Sequence, residues 1–184
     1  MAKLKLGLIV GSNRKESINR KLALAIARLG SDTFEAKLIQ IDDLPMYNQD
    51  YEQPVPAAVA RFKSEVEASD ALLVVSPEHS RSIPAVLKNA IDWGSRPWGK
   101  TSWPNKPAAV TGTTPGLIST AVVQQQLRAV LGDLGLNLIG GEAYIQYKPD
   151  LIDADHNVTD AGVRDFLKAF IDRLAVFSAK LAAA

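Results

Sequence analysis

The residues GSNRKESIN (Gly11–Asn19) follow an apolar run and precede a segment of helical period. They include one glycine, two serines, two asparagines and three charged residues. A dinucleotide fingerprint is excluded, because close approach to a pyrophosphate needs three glycines and only Gly11 is present. A P-loop is excluded as well: Lys15 is followed by Glu16 and the second glycine is missing. What remains is a loop of donors at a helix start. Ser12, Ser17, Asn19 and the backbone N–H groups can donate, and Arg14 adds a full charge. Such a set fits one phosphate monoester. A helix dipole offers an anion only about 0.3–1 kcal/mol, against roughly 1.5–3 kcal/mol for each hydrogen bond to a charged group, so the side-chain donors dominate. Taken alone, Ser17 is equally a helix cap.

A second stretch, SPEHSRSIPAVLKNAIDW, follows another apolar run. Pro77 lacks an N–H and biases Ser76 toward extended geometry. Glu78 to Ser82 then expose backbone donors and acceptors that suit the polar edge of a planar heterocycle, and Ser82 can cap the next helix. Arg81, Arg96 and Lys100 are candidate anion contacts or plain surface cations. Trp93 falls on a helix and should pack. Trp98 and Trp103 lie in a Pro/Gly loop, a setting in which indoles favour subunit interfaces.

The elements that must position these loops alternate. Strands are expected at Lys3–Val10, Glu35–Ile41, Ala71–Ser76, Lys106–Gly112 and, interrupted by Gly140-Gly141, Leu136–Tyr147. Helices are expected at Ile18–Gly30, Ala57–Asp70, Ile83–Gly94 with Pro84 in its first turn, Ser119–Leu134 and Thr159–Leu181, with Thr159 as the last helix's cap. The run DDLPMYNQDYEQPVP reads as a loop, and Phe166, Phe170, Leu174 and Phe177 as a sheet cover. Strict βα alternation with long apolar strands predicts a parallel sheet covered on both faces. The expected fold is a doubly wound, flavodoxin-like sheet of five parallel strands, order 2-1-3-4-5, in one domain over residues 1–184. In that fold ligands bind beyond the carboxyl ends of the strands, where both loops fall.

Composition narrows the function classes. The 184 residues are 47% hydrophobic and 22% charged, with a net charge of +1. No strong field draws the chain to nucleic acid or to anionic membrane. The absence of cysteine excludes disulfides, thiolate catalysis and thiolate metal sites, and His79 and His156 alone cannot build a histidine-rich zinc site. No apolar run reaches the ~18 residues of a membrane span. The start, MAKLKLGLIVGS, reads as a first strand rather than a signal peptide, which points to the cytoplasm.

GSNRKESINRKLA together with PEHSRSIPAVLKNAIDWGSRP resembles the NADPH-dependent FMN reductase family, in its bacterial quinone and chromate reductase branch. The family pattern is roughly G-S-x-R-x-x-S-x-N in the first loop and P-E-Y-N-x-S-x-P-x-x-L-K-N-A-I-D-W in the second, and the likeness covers nearly the whole chain. The resemblance implies a flavodoxin-like fold that binds FMN non-covalently, as a homodimer or homotetramer with the flavin near the subunit interface. It places Ser12, Arg14, Ser17, Ile18 and Asn19 around the FMN phosphate. Pro77, Glu78, His79, Ser80 and Arg81 border the isoalloxazine, with Thr114 of TGTTPGLIS as a further flavin contact. It also implies ping-pong two-electron transfer from NADPH or NADH to small-molecule acceptors: quinones first, with chromate, other oxidised metals or azo dyes as side substrates. The chain departs from the pattern at His79 and Ser80, which stand where the family commonly has tyrosine and asparagine. Rival readings are a flavodoxin-type electron carrier, disfavoured by the net charge of +1 because such carriers usually present a strongly acidic surface, and a non-catalytic module that senses a phosphorylated metabolite.

Overall fold

A computed structural model describes residues 3–183. In chain order the elements are β1 (Leu4–Val10), α1 (Ile18–Leu29), β2 (Phe34–Ile39), α2 (Ala57–Glu67), β3 (Ala71–Val75), α3 (Ala85–Gly94), β4 (Pro107–Thr114), α4 (Ala121–Asp133), β5 (Asn137–Leu138), β6 (Tyr144–Gln146) and α5 (Ala161–Ala182). The strands run parallel in the order β2-β1-β3-β4-β5, with β6 also on β4. This is the expected doubly wound order.

The central strands are buried along nearly their whole length because both faces are covered. Leu6, Leu8, Leu73 and Val75 pack against α1 and α5 on one face. Their strand neighbours Ile9, Leu72, Val74 and Val110 pack against α2, α3 and α4 on the other. Each fully buried Leu, Ile or Val contributes roughly 1.5–3 kcal/mol relative to exposure.

The Gly-Gly interruption divides the last strand in two. β5 pairs with the start of β4 (Ala108↔Leu138) and β6 with its end (Gly112↔Tyr144). The residues between them bulge outward, with Gly141 at φ +87°. Side chains answer the carbonyls that lose ladder partners: Arg128 donates to Ile139 O (2.9 Å) and to Gly141 O, and Thr111 Oγ1 donates to Ala143 O (2.8 Å).

Three local expectations are corrected. Thr159 does not cap α5; Asp160 does, its Oδ1 accepting from Val163 N (2.9 Å), while Thr159 Oγ1 donates to Asp150 O. Ser82 does not cap α3, which begins after Pro84 without a side-chain cap. Trp103 is not an interface residue. It is buried in its own core beside Gly94, and its Nε1 donates to Ile91 O (3.1 Å). Trp93 packs as expected, donating to Pro45 O (2.7 Å) and thereby fastening the 42–56 loop along α3, whereas Trp98 is 88% exposed. On α5, Phe170 and Leu174 form the cover with Leu167 and Ile171, while Phe166 stays in solvent.

Candidate functional site

The carboxyl ends of β1, β3 and β4 lie side by side: Val10 is level with Val75, and Val75 with Thr111. Gly11 N donates to Val75 O (2.9 Å) and Ser76 N to Thr111 O (3.0 Å), so three loops leave the sheet from one line. At Gly112 the strands approach so closely that a Cβ would sit 2.0 Å from the Ser76 carbonyl oxygen.

In the first loop Ser17 caps α1, its Oγ accepting from Arg20 N (3.2 Å). The cap uses the hydroxyl as an acceptor, so its proton is still available to an anion. The N–H groups of Ile18 and Asn19 open the helix without intrahelical partners. Ser12 is half-buried, and Arg14 is exposed with no carboxylate in ion-pair range among the described residues. Ser12, Arg14, Lys15 and Arg20 line a cleft of about 450 Å³ against the end of β2.

Asn19 faces β4. Its Nδ2 donates to Thr113 O (3.0 Å) and its Oδ1 accepts from Thr113 N (2.9 Å), in a buried setting. The amide ties α1 to the strand beneath the third loop, leaving one of its N–H bonds for a ligand.

The second loop is a tight turn. His79 N donates to Ser82 O (3.1 Å) and Ser82 N to His79 O (2.8 Å). The two residues between them, Ser80 (φ +48°) and Arg81 (φ +61°), both lie in the left-handed region. Asparagine tolerates that region better than serine, so Ser80 replaces a residue suited to the turn with one that is not. The strained turn is held from outside. The buried Glu78 carboxylate accepts from Arg81 Nη1 (2.8 Å) and from Val123 N in the first turn of α4 (3.0 Å). Ser82 Oγ donates to Gln126 Oε1 (2.9 Å), and Gln126 Nε2 donates to Arg81 O (3.0 Å). His79 is exposed, and Pro77 is half-buried with its carbonyl accepting from Ser76 Oγ (2.8 Å).

The third loop, Thr114–Ser119, closes the opposite wall. Thr114 Oγ1 accepts from Gly116 N (3.2 Å), and Ser119 Oγ donates to Ile145 O (2.7 Å). Between the second and third loops lies a cleft of about 570 Å³ lined by Glu78, Ser80, Arg81, Thr114, Leu117 and Ile118, among others. That is the size of a small-molecule site. Its one carboxylate is balanced by Arg81 and by the positive end of α4, so the cleft does not repel an electron-rich ligand. A larger groove of about 1010 Å³ lies elsewhere, between α5 and the β5–β6 bulge; none of the three loops reaches it. No group of His, Asp or Glu among the described residues could hold a metal ion, and no described helix is long and apolar enough to cross a membrane.

Arg96 and Lys100 are not in this cluster. They follow the far end of α3, about 15 Å along the helix from its start, where the carbonyls of Gly94, Arg96 and Lys100 accept from Lys63 Nζ. Burial lowers the Lys63 pKa there. Sequence reasoning missed four positioning residues: Gly112, Thr113 with its tie to Asn19, Val123 and Gln126. A glycine within an otherwise β-forming run was the one local signal.

A profile of the NADPH-dependent FMN reductase family matches residues 4–150. A relative named 2-hydroxy-1,4-benzoquinone reductase, from Burkholderia sp, is 42% identical over 175 residues, covering 95% of this chain and 96% of the relative. A quinone reductase of Pseudomonas putida is 44% identical over 170 residues, 91% of each chain. The solved structure of a flavoenzyme NAD(P)H:(acceptor) oxidoreductase from Paracoccus denitrificans superposes with a TM-score of 0.93 at 42% identity, covering 96% of this chain and 98% of that one.

Proposed function

The chain belongs to the NADPH-dependent FMN reductase family, and from that premise we propose that its three loops divide the binding of FMN between them. It is an FMN-dependent NAD(P)H oxidoreductase that reduces quinones. Per turnover, NAD(P)H and one proton convert a quinone to its hydroquinone with release of NAD(P)+. Bound FMN supplies the two-electron chemistry, which accounts for the lack of a catalytic triad.

The residues present fit that cofactor. In this assignment Ser12 and Arg14, which line the first cleft, hold the phosphate together with Ser17 and the N–H groups of Ile18 and Asn19 in the same loop, while Glu78, Ser80, Arg81 and Thr114, which line the second cleft, border the ring together with Pro77 and His79 of the second loop. The single observation that carries this assignment is the distribution of charge. Arg14 has no carboxylate partner among the described residues, whereas Glu78, beside the ring cleft, has two donors and so presents little net charge to a flavin. Chromate and azo dyes are side acceptors in this reading, and NADPH or NADH the donor, drawn from the cytoplasm. Exposed Trp98 and Leu117 favour a homodimer or homotetramer.

The test compares FMN with riboflavin, which lacks the phosphate. The purified protein should show flavin absorbance that bleaches with NADPH under nitrogen. Arg14→Gln should weaken FMN about tenfold while riboflavin changes much less, because one charged hydrogen bond is lost. Equal weakening of both, or a colourless protein that takes up no FMN, would overturn the assignment.

A further inference from the structure

The turn beside the ring cleft has a backbone that its own residues do not favour. Ser80 (φ +48°) and Arg81 (φ +61°) are consecutive left-handed residues between the paired His79 and Ser82. A two-residue loop of that kind favours Asn-Gly or Asp-Gly, because both central residues need positive φ. Neither serine nor arginine adopts the left-handed region readily, so the turn needs support from elsewhere. That support comes from one side chain on α4. Gln126 Nε2 donates to Arg81 O (3.0 Å), and Gln126 Oε1 accepts from Ser82 Oγ (2.9 Å). A carbonyl only accepts, so the amide grips the turn in one orientation. Glu78 holds the Arg81 side chain; among the described residues, Gln126 is the one side chain outside the turn that bonds its main chain. Gln126 does not line the ring cleft, whereas Ser80 and Arg81 do.

We propose that Gln126 is a positioning residue for FMN. It supplies from α4 the backbone stability that the sequence of the turn lacks, and so keeps the wall of the cleft in the shape that receives the flavin ring. The inference rests on the assignment of that cleft to the ring. Position 80 links the two. The family pattern has asparagine there, and asparagine tolerates the left-handed region. This chain has Ser80, and the clamp from α4 takes over part of what asparagine would do locally. A wall left about 1 Å too loose is enough to weaken a ligand that lies against it.

The test is a double-mutant cycle on flavin affinity. Gln126→Ala removes both bonds while keeping the helix propensity of α4. FMN and riboflavin are each titrated into the flavin-free protein and followed by flavin fluorescence. Gln126→Ala should weaken both flavins by the same factor, about three- to tenfold for the lost bonds. That separates it from Arg14→Gln, which acts mainly on FMN. Made in a Ser80→Asn background, Gln126→Ala should cost clearly less, because the turn then holds its own conformation. An equal cost in both backgrounds overturns the proposal, since a residue that only stabilises α4 would not respond to the residue type at position 80. So does a Gln126→Ala protein that melts earlier yet binds both flavins like the wild type, or one that loses affinity for FMN alone. If Gln126→Ala takes up no measurable flavin, solvent exchange of the Ser82 N–H, followed by NMR on the flavin-free protein, decides instead. It should be faster than in the wild type and slow again on addition of Ser80→Asn; an unchanged rate overturns the proposal. Failure of the underlying reading looks different: the wild type itself takes up neither flavin, and the inference falls with it.

Discussion

Gly112 and Gly132 show how one residue type carries opposite meanings at two positions. A Cβ on Gly112 would meet the Ser76 carbonyl oxygen at 2.0 Å and Thr120 Oγ1 at 2.7 Å. Both neighbours are tied down, Ser76 through its N–H to Thr111 O and Thr120 in the entry to α4. Gly112→Ala should therefore cost about 1–3 kcal/mol or more, read as a lowered thermal midpoint, and should loosen FMN by separating β3 from β4. Gly132, exposed on α4, has nothing within 4 Å of a built Cβ. Gly132→Ala should raise stability by about 0.5–1 kcal/mol through helix propensity and leave FMN binding unchanged. A melt in which both substitutions shift stability in the same direction would contradict this account. Asn19 makes the same point in reverse: a residue type suited to holding phosphate is mostly engaged by the Thr113 backbone.

At the scale of elements, α4 does more than cover the sheet. Its first turn receives Glu78, Gln126 holds the turn of the second loop, and Arg128 satisfies the carbonyls of the β5–β6 bulge. The segment leading into α5 depends on Asp153, whose carboxylate accepts from Asn157 Nδ2 (2.9 Å), Asn157 N (2.8 Å) and Asp155 N (3.0 Å). The Asn157 hydrogen bonds are the main cause holding its pKa below the ordinary 3.8. A carboxylate depressed in the folded state stabilises fully above its unfolded pKa and loses that contribution as pH falls through the folded one. The wild type should thus lose thermal stability more steeply than Asp153→Asn as pH drops below 3.8. Parallel acid melting curves for the two proteins would remove Asp153 from this role.

For the molecule as a whole, the lack of cysteine matters for an enzyme that handles quinones. Quinones arylate thiolates, and this chain offers none. The two lysines whose pKa burial lowers, Lys63 and Lys106, are also protected, since each ammonium donates to backbone carbonyls. Minutes of exposure to 1,4-benzoquinone at neutral pH should leave the intact mass unchanged, whereas a Ser80→Cys variant should gain one adduct. Rapid adduct formation on the wild type would show that its amines are open to attack.

The periodicity of the chain determined the alternation of strands and helices and a parallel sheet covered on both faces, because a strand buried on both faces must be apolar throughout and a covering helix must repeat at 3.6 residues; the strand order followed from the match of that alternation and size to a flavodoxin-like fold. Residue types and spacing likewise determined the phosphate-loop candidate, since donors clustered at a helix start are a local feature. Long-range packing alone decided the partners of Glu78, Asn19 and Ser82, which lie 45, 94 and 44 residues away. It also decided that Trp103 is core and Trp98 surface, although both belong to the same loop. A hydrogen bond across the sheet leaves no periodic trace in sequence; it exists only once the strand ends have been brought level.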